Sequence, residues 1–134
     1  MKYTVEIDHF AEKHYIKSFS KKHKTAWERT LKVLQLEFAQ VNLLFDKTIA
    51  EVIVVTPEGD IKICKTEFKI AGTPESRHGS GNRCIIAIHE TEQKVRVLLI
   101  YHKSDIVKSG NETVAWKKIV RDEFPEYRGL MNLN

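Results

Sequence analysis

Along this chain the spacing of apolar residues changes twice, from two to helical and back to two. In "KYTVEID", Tyr3, Val5 and Ile7 alternate with Thr4 and Glu6, the signature of a short strand with one buried face. From Asp8 to about Leu44 the period lengthens. Phe10, Tyr15, Ile16 and Phe19 recur near helical spacing, and Trp27, Leu31, Leu34, Phe38 and Val41 recur at three and four. The spacing predicts two helices, roughly 8–19 and 24–40, as an αα-hairpin or bent pair. Ser20 or Thr25 can start the second, "SKKHK" makes a basic corner between them, and the aromatic stripe reads as a core face.

Beyond residue 49 alternation returns. "AEVIVVT" and "IKICKTEFKI" read as strands joined by the turn "PEGD", with Pro57 and Gly59. "AGTPESRHGSGN" is dense in Gly, Pro and Ser and reads as a flexible loop of functional length. "RCIIAIHE" and "KVRVLLIYHK" form a second hairpin across "TEQ". After the loop "SDIVKSGNE", Asn111 is placed to cap a helix over "TVAWKKIVRDEF". Pro125 ends that helix, and residues 125–134 read as a weakly ordered tail. The element order is thus β-α-α-β-β-β-β-α, an α+β fold. The expectation is an N-terminal strand and two helices, an antiparallel sheet of about four strands covered by helices on one face, and a C-terminal helix.

Composition adds bounds. The 134 residues fit one domain, spanning 1–134, and a chain of that size buries roughly two-thirds of its unfolded surface. A hydrophobic fraction of 42% against 30% charged residues excludes disorder over most of the length. The net charge of +4 suits an anionic partner such as nucleic acid, and suits solubility equally. Cys64 and Cys84 lack C-x-x-C spacing and read as buried free thiols in a reducing compartment, with pairing across neighbouring strands a minor alternative. With no signal-peptide pattern at the N-terminus and no apolar stretch approaching ~18 residues, no membrane association is expected and the location expected is cytoplasmic.

P-loop, G-x-G-x-x-G and G-x-S-x-G signatures are all absent from the sequence. Its six histidines show neither H-E-x-x-H nor Cys/His zinc spacing, so no metal and no cofactor are expected. What stands out is a set of cations at strand ends. Lys65 and Lys69 precede the long loop, Arg77 and His78 lie in it, Arg83 opens the next strand, and His102 and Lys103 close the last. An antiparallel hairpin brings Arg83 near His102 and Lys103, and Lys69 joins them if its strand is adjacent. Metal-free RNA cleavage needs such groups. A base takes the 2′-hydroxyl proton, cations hold the phosphate, and an acid protonates the leaving 5′-oxygen. Histidine can serve as acid or base, lysine can if neighbouring cations depress its pKa, and arginine can only clamp. The same residues also read as solvated strand ends, with Lys65 or Lys69 blunting an edge.

Four stretches, "KSFSKKHKTAWERTL", "TEFKIAG", "NRCIIAIHE" and "VRVLLIYHKSDI", followed by a helix, resemble the RelE/ParE superfamily of bacterial type II toxin–antitoxin toxins, in its RelE-like branch. The likeness covers about residues 13–122. It implies an endoribonuclease, an mRNA interferase that inhibits translation by cutting mRNA on the ribosome and is neutralised by a cognate antitoxin. It further implies catalytic roles for Lys69, Arg83 (as phosphate holder) and Lys103, with His102 added because some relatives use histidine there for acid–base work; Lys65, Arg77 and His78 of the strand-end cluster are expected in RNA binding. Where family members carry a second lysine this chain has Ala71, and for their stacking tyrosine it offers Trp116 or Tyr127. The alternative is a non-catalytic protein of the same fold that binds RNA or a protein target such as gyrase.

Overall fold

The computed structural model describes residues 2–107 and 110–131. Five strands form one mixed sheet in the order β1-β5-β4-β3-β2. They are β1 (Thr4–Ile7), β2 (Ala50–Val55), β3 (Ile61–Phe68), β4 (Asn82–His89) and β5 (Lys94–His102). β2 to β5 form the expected antiparallel run, while β1 adds a fifth, parallel edge strand against β5.

The first helix is longer than its apolar spacing suggests. α1 (His9–Ala11) passes through a π-helical turn (Glu12–Ile16) into α2 (Lys17–His23). Lys24, at φ +52°, turns the chain there, so the basic corner falls one turn later than the expected end near 19. α3 (Thr25–Ala39) matches its expected span and buries Trp27, Thr30, Leu34 and Phe38, and a short α4 (Val41–Asp46) follows it. After β5 come α5 (Lys103–Ile106), α6 (Glu112–Glu123) and a 3-10 turn (Pro125–Leu130). Asn111 caps α6 as expected, its Oδ1 accepting from the amides of Thr113 (2.7 Å) and Val114 (3.3 Å). Lys108 and Ser109 of the preceding loop lie outside the described residues, as do 132–134 of the expected tail.

Two expectations are corrected. The sheet is covered on both faces, not one. α2, α3 and α4 pack Phe19, Trp27, Leu34, Phe38 and Leu44 on one face, against Cys64, Cys84, Ile86 and Ile88. On the other, α6 and the 3-10 turn pack Trp116, Val120, Phe124 and Tyr127 against Ile63, Ile85, Ala87 and Leu99. Double coverage explains why Cys84 to Ile88 are buried without alternation, since both sides of β4 face a core. At about 25 cal/mol per Å² of apolar surface, these paired cores supply most of the folding drive. The segment from 125 to 131 is likewise no loose tail. Tyr127 and Met131 are buried, and the Tyr127 hydroxyl meets His89 Nε2 (2.7 Å) and accepts from Arg96 Nη1 (2.8 Å).

One irregularity fixes the site. β4 and β5 pair Ile86 with Val97 but Ile85 with Leu99, so Leu98 is an extra residue in β5. A bulge of this kind reverses the facing of every later side chain in its strand. Both thiols are buried and free, and Cys64 opposes Ile86 while Cys84 opposes Thr66, so they do not face each other. Burial pushes the Cys64 thiol up to about 12.

Candidate functional site

The expected cations do gather at one end of the sheet, but not in one hollow. Register divides them. Glu67, Arg83 and Tyr101 sit side by side across β3, β4 and β5, and Phe68, Asn82 and His102 form the next row. Successive rows face opposite ways. Arg83 therefore points toward α6 and His102 toward α2.

On the α6 face, Arg83 is 2% exposed. Its Nη2 lies 3.1 Å from Glu67 Oε2 and its Nε 3.7 Å from Glu112 Oε2, and Nη1 donates to the Asn82 carbonyl at 3.1 Å. The Tyr101 hydroxyl donates to Glu112 (2.9 Å), and His78 Nδ1 reaches Glu67 (2.6 Å) from an exposed position. Burial, then the Glu112 charge, raises the Tyr101 phenol far above its ordinary range. Lys65 shares this face and lies 4.0 Å from Glu51. Three carboxylates thus offset three potential cations. Arg83 is a buried brace with its charge already met, so it cannot hold a phosphate without leaving both glutamates.

The long loop is pinned rather than flexible. Arg77 forks onto Glu37 of α3 (2.5 and 3.3 Å), and the buried Ser80 hydroxyl lies 2.5 Å from the Phe68 carbonyl and accepts from the Asn82 amide at 3.0 Å. The exposed Lys69 borders an apolar cavity of about 150 Å³ beside α3 together with Arg77, and its Nζ donates to the Thr73 carbonyl (3.4 Å). Lys69 and Arg77 thus form a third location, apart from Arg83 and from His102.

On the α2 face, His102 lines a cleft of about 80 Å³ with Ser18, Phe19, Lys22, His23, Asn82 and Asp105. The His102 Nδ1 accepts from the Ser104 amide (3.2 Å) and faces its hydroxyl (2.8 Å), which caps α5. The ring lies over Gly81, where a Cβ would come within 2.5 Å of Nε2 and where φ is +78°, so only glycine fits. Lys103 follows at the exposed start of α5, its amide donating to the Gly81 carbonyl at 2.8 Å. Neither Lys22 nor Lys103 has an ion-pair partner among the described residues. Of the seven expected site residues, then, only His102 lines this cleft, and Lys103 follows it in the chain.

Sequence reasoning missed His23, Lys22, Asn82 and Asp105 as cleft residues. One signal was present: Phe19 and His23 are four apart on a helix, and Phe19 belongs to the core stripe. Trp116 and Tyr127 are buried, so neither is available to stack on a base. Among the described residues, no three His, Cys, Asp or Glu side chains gather into a metal-binding group, and no helix is long and apolar enough to cross a membrane.

No family model matches the chain, and no curated protein matches it. Among solved structures, the archaeal RelE–RelB complex from Pyrococcus horikoshii OT3 contains a similar chain. The two share 15% identity at a TM-score of 0.42, over 76% of this chain and 96% of that one. A superposition that loose fixes neither lineage nor function; what stands on this chain's own coordinates is a mixed α+β sandwich with Arg83 buried on its α6 side and His102 in a cleft on its α2 side.

Proposed function

We propose that this chain is a RelE-like toxin of a type II toxin–antitoxin system, acting in the cytoplasm as a metal-independent endoribonuclease on ribosome-bound mRNA, and that the cleft beside His102 is where it acts. One observation carries the reading. A rigid strand end delivers an imidazole into a cleft whose one lining ammonium, Lys22, has no ion-pair partner among the described residues. Groups held on a strand keep their geometry better than groups on a loop. The motif resemblance supports the same substrate. In this reading His102 Nε2–H and Lys103 hold the scissile phosphate as negative charge builds, a role in which one lost donor costs about 10²–10³ in rate. Arg83 acts by holding β3, β4 and α6 together. The proposed partner is a cognate antitoxin whose acidic segment covers the unpaired cations. Expression without a partner should arrest growth and leave mRNA cut at mapped 5′ ends, and undisturbed translation at full induction would remove the reading.

The burial of Arg83 favours a second reading, a non-catalytic protein that binds RNA or a protein target such as gyrase. The two separate in a double variant, His102→Gln with Lys103→Gln, assayed for RNA affinity and for cleavage. Loss of cleavage with retained affinity supports the enzyme; a wild type that binds without cutting supports the binder.

A further inference from the structure

We infer that His23 is the general base of this cleft, taking the proton of the attacking 2′-hydroxyl while His102 holds a phosphate oxygen. The inference rests on the ribonuclease reading above. It begins from the tautomer of His102. A backbone amide can only donate, so the Nδ1 that accepts from Ser104 carries a lone pair and the ring proton sits on Nε2. Releasing that proton from a neutral ring would leave an imidazolate. With its Nδ1 lone pair engaged by Ser104, His102 has Nε2–H as its remaining polar group, which suits it to holding an oxygen.

The reaction still requires a base, and the cleft lining contains few groups able to serve. Asn82 and Ser18 do not titrate in the relevant range. Lys22 carries an exposed ammonium, and Asp105 offers a carboxylate, an intrinsically weaker base than imidazole. His23 remains. It ends α2, half-buried, its ring stacked 6.1 Å from Phe19, and its nitrogens have no hydrogen-bond partner among the described residues. Burial first, then the neighbouring Lys22 charge, holds its pKa below the ordinary 6.5, so the ring is unprotonated at neutral pH. The charged or titratable groups sharing its cleft are Lys22, His102 and Asp105.

The step balances within the protein. His23 takes the 2′-hydroxyl proton as the O2′–P bond forms, and the P–O5′ bond breaks. The Lys22 ammonium gives its proton to the departing O5′. The products are a 2′,3′-cyclic phosphate and a 5′-hydroxyl, and exchange with water returns both side chains to their starting states.

The test compares wild type, His23→Gln and His102→Gln in single-turnover cleavage of a defined mRNA on programmed ribosomes, from pH 5 to 9. For His23→Gln the rate should fall about 10²–10⁴-fold and the acidic limb of the profile, with its midpoint below 6.5 in wild type, should vanish, while affinity for the mRNA bearing a 2′-deoxy scissile nucleotide stays within about threefold. Ring resonances of His23 in wild type should shift when a 2′-deoxy-blocked oligonucleotide is added, a readout independent of whether the variant folds. A His23→Gln protein that cuts at the wild-type rate, or keeps its acidic limb, overturns the assignment, and so do unmoved His23 resonances. If His102→Gln is inactive while His23→Gln is active, the cleft reading stands and the base is elsewhere. A wild type that cuts no RNA overturns both.

Discussion

The two faces of one sheet end hold nearly the same chemical types and use them oppositely. On the α6 side, Arg83, His78 and Lys65 are met by Glu67, Glu112 and Glu51. On the α2 side, Lys22, His23 and His102 share their cleft with a single carboxylate, Asp105. The first face is compensated and 2% exposed at its centre; the second is open and cationic. A cation contributes to ligand binding only when its charge has not already been satisfied by the fold, because displacing a buried partner costs what the ligand would return. The α6 face therefore builds and the α2 face is available.

The largest expected effect that separates them is on activity. His102→Gln should lower cleavage about 10²–10³-fold while changing unfolding free energy by about 1 kcal/mol, the scale of a lost helix cap. Cleavage kinetics beside a denaturant titration check both numbers. Next, Arg83→Ala should lower stability by about 3 kcal/mol, at the low end for a broken buried ion pair because Glu67 and Glu112 retain 30% and 22% exposure. Calorimetry should show the melting midpoint falling by roughly 10 °C. A fully stable Arg83→Ala protein that has lost cleavage would reverse the comparison and return the guanidinium to the phosphate.

Smaller effects sharpen the picture. Combining Arg83→Met with Glu67→Gln and Glu112→Gln should recover much of the Arg83→Met loss, since no unpaired charge then remains buried; a cycle of the single and combined variants measures the coupling, expected at about 1–3 kcal/mol. Gly81→Ala should cost about 1–2 kcal/mol from its left-handed φ and also displace the His102 ring, so cleavage should fall with stability. The smallest effect is in pH. Burial lowers the pKa of both His23 and His89 below 6.5, so the folded state binds fewer protons than the unfolded chain in the window beneath that value. Stability should be constant above about 6.5 and decline as pH falls through it, and His89→Gln should flatten the decline in titrations of the melting midpoint.

Much of this protein is written in its periodicities. The strand at 4–7, the helix at 25–39, the two hairpins and the Asn111 cap follow from spacing two, spacing three-to-four, and turn or cap chemistry, all of them short-range. Coverage of both sheet faces could be suspected from "RCIIAIHE", where apolar residues run without alternation, but that run is equally consistent with one deep core. The pinning of the Gly-rich loop was not legible, because Glu37, which holds Arg77, lies 40 positions away.

The facing of the candidate site was decided only by the tertiary structure. A strictly alternating β5 would have turned His102 to the same side as Arg83, the arrangement that the strand pattern of "VRVLLIYHK" implies. The extra residue at Leu98 reverses the strand beyond it and sends the imidazole to the α2 side. Nothing local distinguishes Leu98 from its apolar neighbours, since a buried leucine satisfies either core. With the bulge, Leu98 and Leu99 both pack in the α6-side core and Ile100 returns to the α2-side core, a partition visible only once both helix layers are in place.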